Sequence, residues 1–296
     1  MEGYLEILLD ALLDTLKMVP ILLIVYLLIE FLEYKKVFSF ENSKFLKGKA
    51  SPLFGTLFGC VPQCGFSVIS TDLFSKGKMS IGALIAVYIA TSDEALPIML
   101  SNPTRILDLI ELIGVKLIMG ISIGYIAMGL YKLLFKKAKQ EEHDESHDEE
   151  HHEEVVHKGC CHHEMEKSKY NWVHPVLHSL KIAAFVLIAN IVFGVIVYLI
   201  GQEKIETFLQ QSYALQPLVS VIIGLIPNCV SSVILTQLYL AGGISFGAII
   251  SGLSVNAGLG LLMLIKQNKN VKENIFIFSV LIISSLIFGY ALHYII

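Results

Sequence analysis

Asp93 and Glu94 stand side by side in the string TSDEALP, inside an apolar run at 79–100. Adjacent carboxylates in such a run need a cation, a proton or a basic partner, because one charge at the centre of a bilayer costs on the order of 2.5–3.5 kcal/mol on insertion scales. Cys60 and Cys64 flank Val-Pro-Gln, and Cys229 repeats the second cysteine in GLIPNCVSS. Thiolates are soft ligands that, with amide or backbone carbonyls, suit a soft metal ion or a trivalent metalloid. Buried cysteine is equally a small packing residue, and Pro62 inside the pair disturbs a four-residue helical spacing. Gln63 and Asn228 hold matching places beside Pro62 and Pro227, and Asn256 of SVNAGLG is a further neutral amide in an apolar run. A separate group lies at 136–169, where seven histidines (143, 147, 151, 152, 157, 162 and 163) accompany Cys160, Cys161 and many acids. His151, His152, Cys160, Cys161, His162 and His163 are the ligand types that borderline transition metals prefer. The same composition also reads as a solvated acidic linker.

These groups must be held by membrane helices. Only 16% of the 296 residues are charged, against roughly a quarter in a soluble domain, and the mean hydropathy is +0.67. Eight apolar segments are expected near 5–32, 52–75, 79–100, 106–135, 174–200, 213–240, 244–266 and 273–296; a helix crosses ~30 Å of hydrocarbon in ~20 residues. The polar stretch divides the chain into a first transmembrane half (1–135), a His- and acid-rich cytoplasmic loop (136–170) and a second transmembrane half (171–296).

The halves are related. Shifted by the spacing from Gly59 to Gly224, residues 59–85 align with 224–250 without a gap, and Pro62 meets Pro227, Cys64 meets Cys229, Ser67 meets Ser232 and Thr71 meets Thr236. Such polar and helix-breaking identities are not a by-product of apolar composition. If the segments interrupted by Pro62 and Pro227 enter and return on one side, nearly all the lysines outside the segments collect on one face, leaving Arg105 and Lys204 on the other. That is a positive-inside pattern. Each half then crosses an odd number of times, so the fold class is all-α with two inverted repeats and broken helices. At 1.5 Å per residue the breaks at Pro62, Asp93 and Asn256 fall ~15–20 Å into their segments, near the midplane. Irregular backbone at that depth is tolerated where protein or a watered cavity lines it.

Other charged residues read as local pairs. Asp72 with Lys76, and Glu111 with Lys116, are spaced for helix-face ion pairs, while Asp10, Asp14 and Lys17 share one face of the first segment. His-Glu-x-x-His is absent, and no enzyme is expected. A net charge of −4 with no basic block excludes nucleic acid as a partner.

The strings GCVPQCGFS, TSDEALP, GLIPNCVSS and SVNAGLG, with DALLDTLKMVP and YLLIEFLE near the start, resemble a family of prokaryotic heavy-metal or manganese exporters, distantly related to arsenic-efflux permeases. The resemblance covers nearly the whole chain except the His-rich loop. It implies a multi-pass protein of the cytoplasmic (inner) membrane, and carries over Pro62, Gln63, Cys64, Asp93, Glu94, Pro227, Asn228 and Asn256. It also implies ten spanning helices, which the eight segments reach if two of them are hairpins. The expected function is therefore a secondary transporter exporting a metal or metalloid ion, such as manganese or an arsenic species, by alternating access. Asp93 and Glu94 would bind the cation or a coupling proton, with Gln63, Cys64, Asn228, Cys229 and Asn256 as neutral ligands. Two alternatives stand beside it: a transporter of an anion or small organic solute, and a membrane-anchored metal sensor or chaperone working through the loop. Expected partners are the lipid bilayer, the transported ion and further copies of the chain. No tightly bound cofactor is expected beyond transition-metal ions at the loop.

Overall fold

The same starting and stopping chemistry recurs twice along the chain. A computed structural model describes residues 44–61, 64–92, 95–101, 105–141 and 213–295, with isolated helical positions between 9 and 20 and between 180 and 195; the statements below concern these residues. In the first half α1 (Lys44–Lys47) is followed by α2 (Ser51–Gly59), α3 (Cys64–Ser75), α4 (Ile81–Ala90), α5 (Ala95–Leu100) and α6 (Ile106–Glu141). In the second half a 3-10 turn at Tyr213–Leu215 leads into α7 (Gln216–Gly224), α8 (Cys229–Leu240), α9 (Phe246–Val255), α10 (Leu259–Gln267) and α11 (Val271–Ile295). No strand occurs among the described residues, in keeping with the all-α expectation.

Each boundary has a local cause. α2 and α7 both carry proline in the first turn, at Pro52 and Pro217, where the missing N–H costs nothing and φ is already helical. α4 and α9 both begin on a serine cap: Ala83 N donates to Ser80 Oγ and Ala248 N to Ser245 Oγ, each at 3.2 Å, satisfying one of the four orphan donors of the first turn. α3 and α8 both end at a glycine with positive φ, Gly77 at 67° and Gly242 at 76°. In each case the following N–H reaches five residues back, Lys78 to Leu73 O and Gly243 to Leu238 O, both at 2.8 Å, the wrap that closes a helix through a left-handed residue. All these pairs, and the first residues of α6 and α11, share the spacing from Gly59 to Gly224.

The packing repeats too. α4 packs between α2 and α6, and α9 between α7 and α11. The approach is backbone to backbone at small residues, as membrane helices favour. A Cβ built on Gly82 would lie 2.5 Å from Gly124 O, and one on Gly247 2.3 Å from Gly289 O. Likewise a Cβ on Gly59 would lie 2.5 Å from Val87 O and one on Gly224 2.2 Å from Gly252 O.

Contacts between the halves are exchanged symmetrically: α3 packs on α10, and α8 on α5. Asp72 of α3 forms the expected ion pair with Lys76 (2.7 Å) and also accepts from Gln267 Nε2 of α10 at 3.3 Å. Tyr239 of α8 donates to Asp108 Oδ2 (3.0 Å), and Tyr131 of α6 donates to Glu273 Oε1 (2.6 Å). Asp108 and Tyr131 stand about 35 Å apart along α6 at 1.5 Å per residue.

Among the described residues, three stretches are long and apolar enough to cross a membrane: Ile81–Leu100, which runs through positions 93 and 94 outside that set, Phe246–Gln267 and Val271–Ile295. The first two each join a pair of helices across an interruption, and they form the buried centre. α6 and α11 lie outside, where Ile110, Ile118, Ile126, Leu133, Ile275, Ile283 and Ile287 are exposed, the placement expected of side chains that meet lipid. Asp10, Asp14 and Lys17 lie outside the described residues, as does the expected loop from 142 to 170, whereas its first six residues, 136–141, continue α6 as helix.

Candidate functional site

Three helix interruptions meet around one small polar void. The C-terminus of α4 at Thr91 and Ser92, the C-terminus of α9 at Leu253 and Asn256, and the N-terminus of α8 at Asn228 and Cys229 all line it, with Ser232 and Gly258. About 10 Å³ is open to the centre of a water-sized sphere, close to the least that holds one water. The wall is rich in hydroxyl, amide, thiol and backbone groups, and Thr91, Ser92, Asn228, Cys229, Ser232 and Asn256 are all buried.

The amides that line the void also hold its backbone. Asn228 caps α8, its Oδ1 accepting from Val230 N at 3.4 Å. Pro227 precedes it in the short α7–α8 connection and is buried. Asn256 ends α9; its Oδ1 accepts from Gly258 N at 2.9 Å and its Nδ2 donates to Ser231 Oγ at 3.3 Å. That local bond from an Asn oxygen to the N–H two residues on is an Asx turn. It steers the chain into Gly258 at φ 53°, a conformation that L side chains rarely adopt. Ser231 Oγ in turn donates to Asn228 O at 2.6 Å, so α8 and the α9 break are tied together. Elsewhere between the halves, Thr71 Oγ1 and Tyr88 OH lie 2.6 Å apart and reach Gly260 O at 3.2 and 3.1 Å, joining α3 and α4 to α10.

Lys116 enters the same place from α6. It is 1% exposed, and its Nζ donates to Thr91 O, to Ser92 Oγ at 2.7 Å and to Leu253 O at 2.9 Å. An ammonium carries three N–H donors, and these three oxygens are among its acceptors. Thr91 O and Leu253 O belong to the ends of two helices, where carbonyls lack an intrahelical donor. The expected partnership of Lys116 with Glu111 does not describe this geometry: Glu111 is exposed and Lys116 buried, because five residues turn a helix by about 140°. Sequence reasoning therefore missed the site's cation. One signal was available, since Lys116 is the sole charged residue between Glu111 and Lys132, and an isolated charge in a spanning helix marks a site by default.

Of the other residues singled out from sequence, Asn228, Cys229 and Asn256 come together here. Cys64 opens α3, with only its backbone described; Cys60 is half-buried just after α2. Neither Cys60 nor Cys229 is in a disulfide. Pro62, Gln63, Asp93 and Glu94 lie outside the described residues, as do His151, His152, Cys160, Cys161, His162 and His163. Among the described residues no three His, Cys, Asp or Glu side chains gather closely enough to hold a metal ion.

Neither a curated protein nor a solved structure matches the chain. A family model does, over residues 1–180 and 178–296; it is the ArsP_2 family, described as "Putative, 10TM heavy-metal exporter". The two matches together run from end to end of the sequence, and the chain belongs to this family of membrane-embedded heavy-metal exporters.

Proposed function

We propose that the protein is a secondary transporter that exports a metal or metalloid ion by alternating access, with its two halves as inverted repeats around the void between α4, α8 and α9. The observation that carries this reading is the convergence of three helix interruptions, from both halves, on one buried polar point. Discontinuous helices in corresponding positions of two repeats are the usual architecture of a transport site. Two contacts support the inversion. α4 and α9 meet at their C-terminal ends on one ammonium. Asp108 and Glu273, equivalent acids in the first turns of α6 and α11, bond to tyrosines at places about 35 Å apart along α6, as antiparallel equivalents would. Counting α2 and α3, and α7 and α8, as separate helices raises the eight segments to the ten of the family description.

Asp93 and Glu94 follow Thr91 and Ser92 directly, at the end of α4. In this reading they bind the cation or a coupling proton, while Gln63, Cys64, Asn228, Cys229 and Asn256 supply neutral groups. The histidines and cysteines of the loop capture metal on the cytoplasmic side of the inner membrane. The test is metal flux into proteoliposomes across Mn, Zn, Co, Ni, Cu and arsenite, comparing wild type with an Asp93→Asn, Glu94→Gln double variant. Flux of one ion that the double variant loses, with folding intact, is the expected result; undiminished flux in the variant overturns the site.

A second reading, transport of an anion or small organic solute, is favoured by one observation: the void adjoins the N-terminus of α8 and the Lys116 ammonium. Both attract negative charge. Thermal stabilisation by oxyanions and not by metal cations would select it.

A further inference from the structure

We propose that Lys116 is a tethered monovalent cation: its ammonium fills a cation site built from Thr91 O, Ser92 Oγ and Leu253 O, which a small free cation occupies once the lysine side chain is removed. The ligand class is ammonium, short alkylammonium and alkali-metal ions. The inference goes beyond the transport reading and does not depend on which substrate is carried.

Burying an ammonium is costly unless coordination replaces water. Lys116 is 1% exposed, and all three oxygens point at its Nζ. Two of them are carbonyls from the last turn or cap of different helices, α4 of the first half and α9 of the second. Each helix end carries the equivalent of about half a negative charge. Two such ends brought together, with their orphan carbonyls sealed from water, repel each other and need a positive charge between them. Unwound carbonyls and helix C-termini are what bind monovalent cations in broken-helix membrane proteins. Here the chain provides the ion itself.

The repeat shows that the lysine is not a general requirement of the fold. The equivalent position in α11 is Leu281, fully buried. The corresponding packing of α11 on α9 thus forms with an apolar side chain, and the cation was placed once, where both C-termini meet.

Lys116→Ala removes the atoms of an n-propylammonium ion and leaves the three oxygens. The experiment follows thermal unfolding of the purified full-length variant in choline chloride, then with increasing methyl-, ethyl- or n-propylammonium, potassium or sodium, and with 1-propanol as a neutral molecule of matching size. The expected result is a Tm about 5 °C or more below wild type, which rises saturably with at least one small cation and not with 1-propanol. A saturable rise is the signature of binding to the folded state. Wild type should not respond, its site being filled, and Lys116→Met should not, its side chain occupying the space. No recovery with any cation overturns the proposal, as does equal recovery in Lys116→Met or wild type.

One further variant separates this site from the carboxylates of the transport reading. In an Asp93→Asn, Glu94→Gln, Lys116→Ala background the cation response should persist; its disappearance would show Lys116 to be a counter-ion of those acids and would overturn the proposal. Should Lys116→Ala fail to accumulate, expression and purification with and without ethylammonium becomes the assay. Folded protein that appears only with the cation supports the site, and none under either condition overturns it.

Discussion

Replacing Asn256 by alanine separates a residue that braces the backbone from one that holds a ligand. The side chain's oxygen accepts from Gly258 N at 2.9 Å and its nitrogen donates to Ser231 Oγ at 3.3 Å. Every residue from 251 to 260 is buried, so alanine leaves the Gly258 N–H without water to take over. An unsatisfied buried neutral donor costs about 1–3 kcal/mol, and the long bond to Ser231 adds little. A loss of about 2 kcal/mol, at roughly 2–4 °C per kcal/mol for a chain of this size or somewhat smaller, lowers Tm by about 4–8 °C. Asn256→Ser should fall between wild type and alanine, because a serine hydroxyl makes the same local turn more weakly. The assay is thermal unfolding without substrate, run beside flux in proteoliposomes. If Asn256→Ala keeps the wild-type Tm and loses flux, the bracing argument is wrong and the amide is a substrate ligand.

Gly247→Ala drives a Cβ to 2.3 Å from Gly289 O and 2.4 Å from His293 N; both are backbone, so α9 and α11 must part, at a cost of about 1–3 kcal/mol or more. Gly129→Ala meets nothing within 4 Å and should stabilise α6 by about 0.5–1 kcal/mol; thermal shifts of the same sign for the two would contradict the packing. Tyr131→Phe and Tyr239→Phe each remove a bond to a carboxylate, at 2.6 and 3.0 Å, and should each lower stability by about 1 kcal/mol at these half-exposed positions. Their effects should add, since the two bonds are about 35 Å apart along α6, and a double variant no worse than either single would refute independent clamps.

The repeat was legible because backbone interruptions restrict residue type. Proline in a first turn, serine before α4 and α9, and glycine where φ is positive are choices that few residues can replace, so they survive in both copies at one spacing. The apolar segments were legible for the reason that hydrocarbon imposes a length. Which way a helix faces was less so. α6 runs from Ile106 to Glu141 with apolar residues around its circumference, and a helix apolar all round gives no stripe from which to read its buried side. Lys116 was therefore assigned a neighbour by spacing, when its partners include backbone oxygens and a serine on α4 and α9. Backbone acceptors leave no mark in a sequence. Asn256 was legible as a polar residue at a break, but the use of its amide to hold Gly258 depends on a φ that only the folded chain shows.

The repeat spacing also shows where the two halves have stopped being copies. Thr91, Ser92, Asp93 and Glu94 correspond to Asn256, Ala257, Gly258 and Leu259. At the end of α9 the interruption is neutral and closes on itself through an Asx turn. At the end of α4 the equivalent positions carry two hydroxyls and two acids, and Lys116, from the same half, donates to Thr91 O and Ser92 Oγ. A site that needed only shape would keep both interruptions alike. Among the described residues around the void, the charged side chain, Lys116, comes from the first half, while the second supplies carbonyls, amides, a serine hydroxyl and the Cys229 thiol.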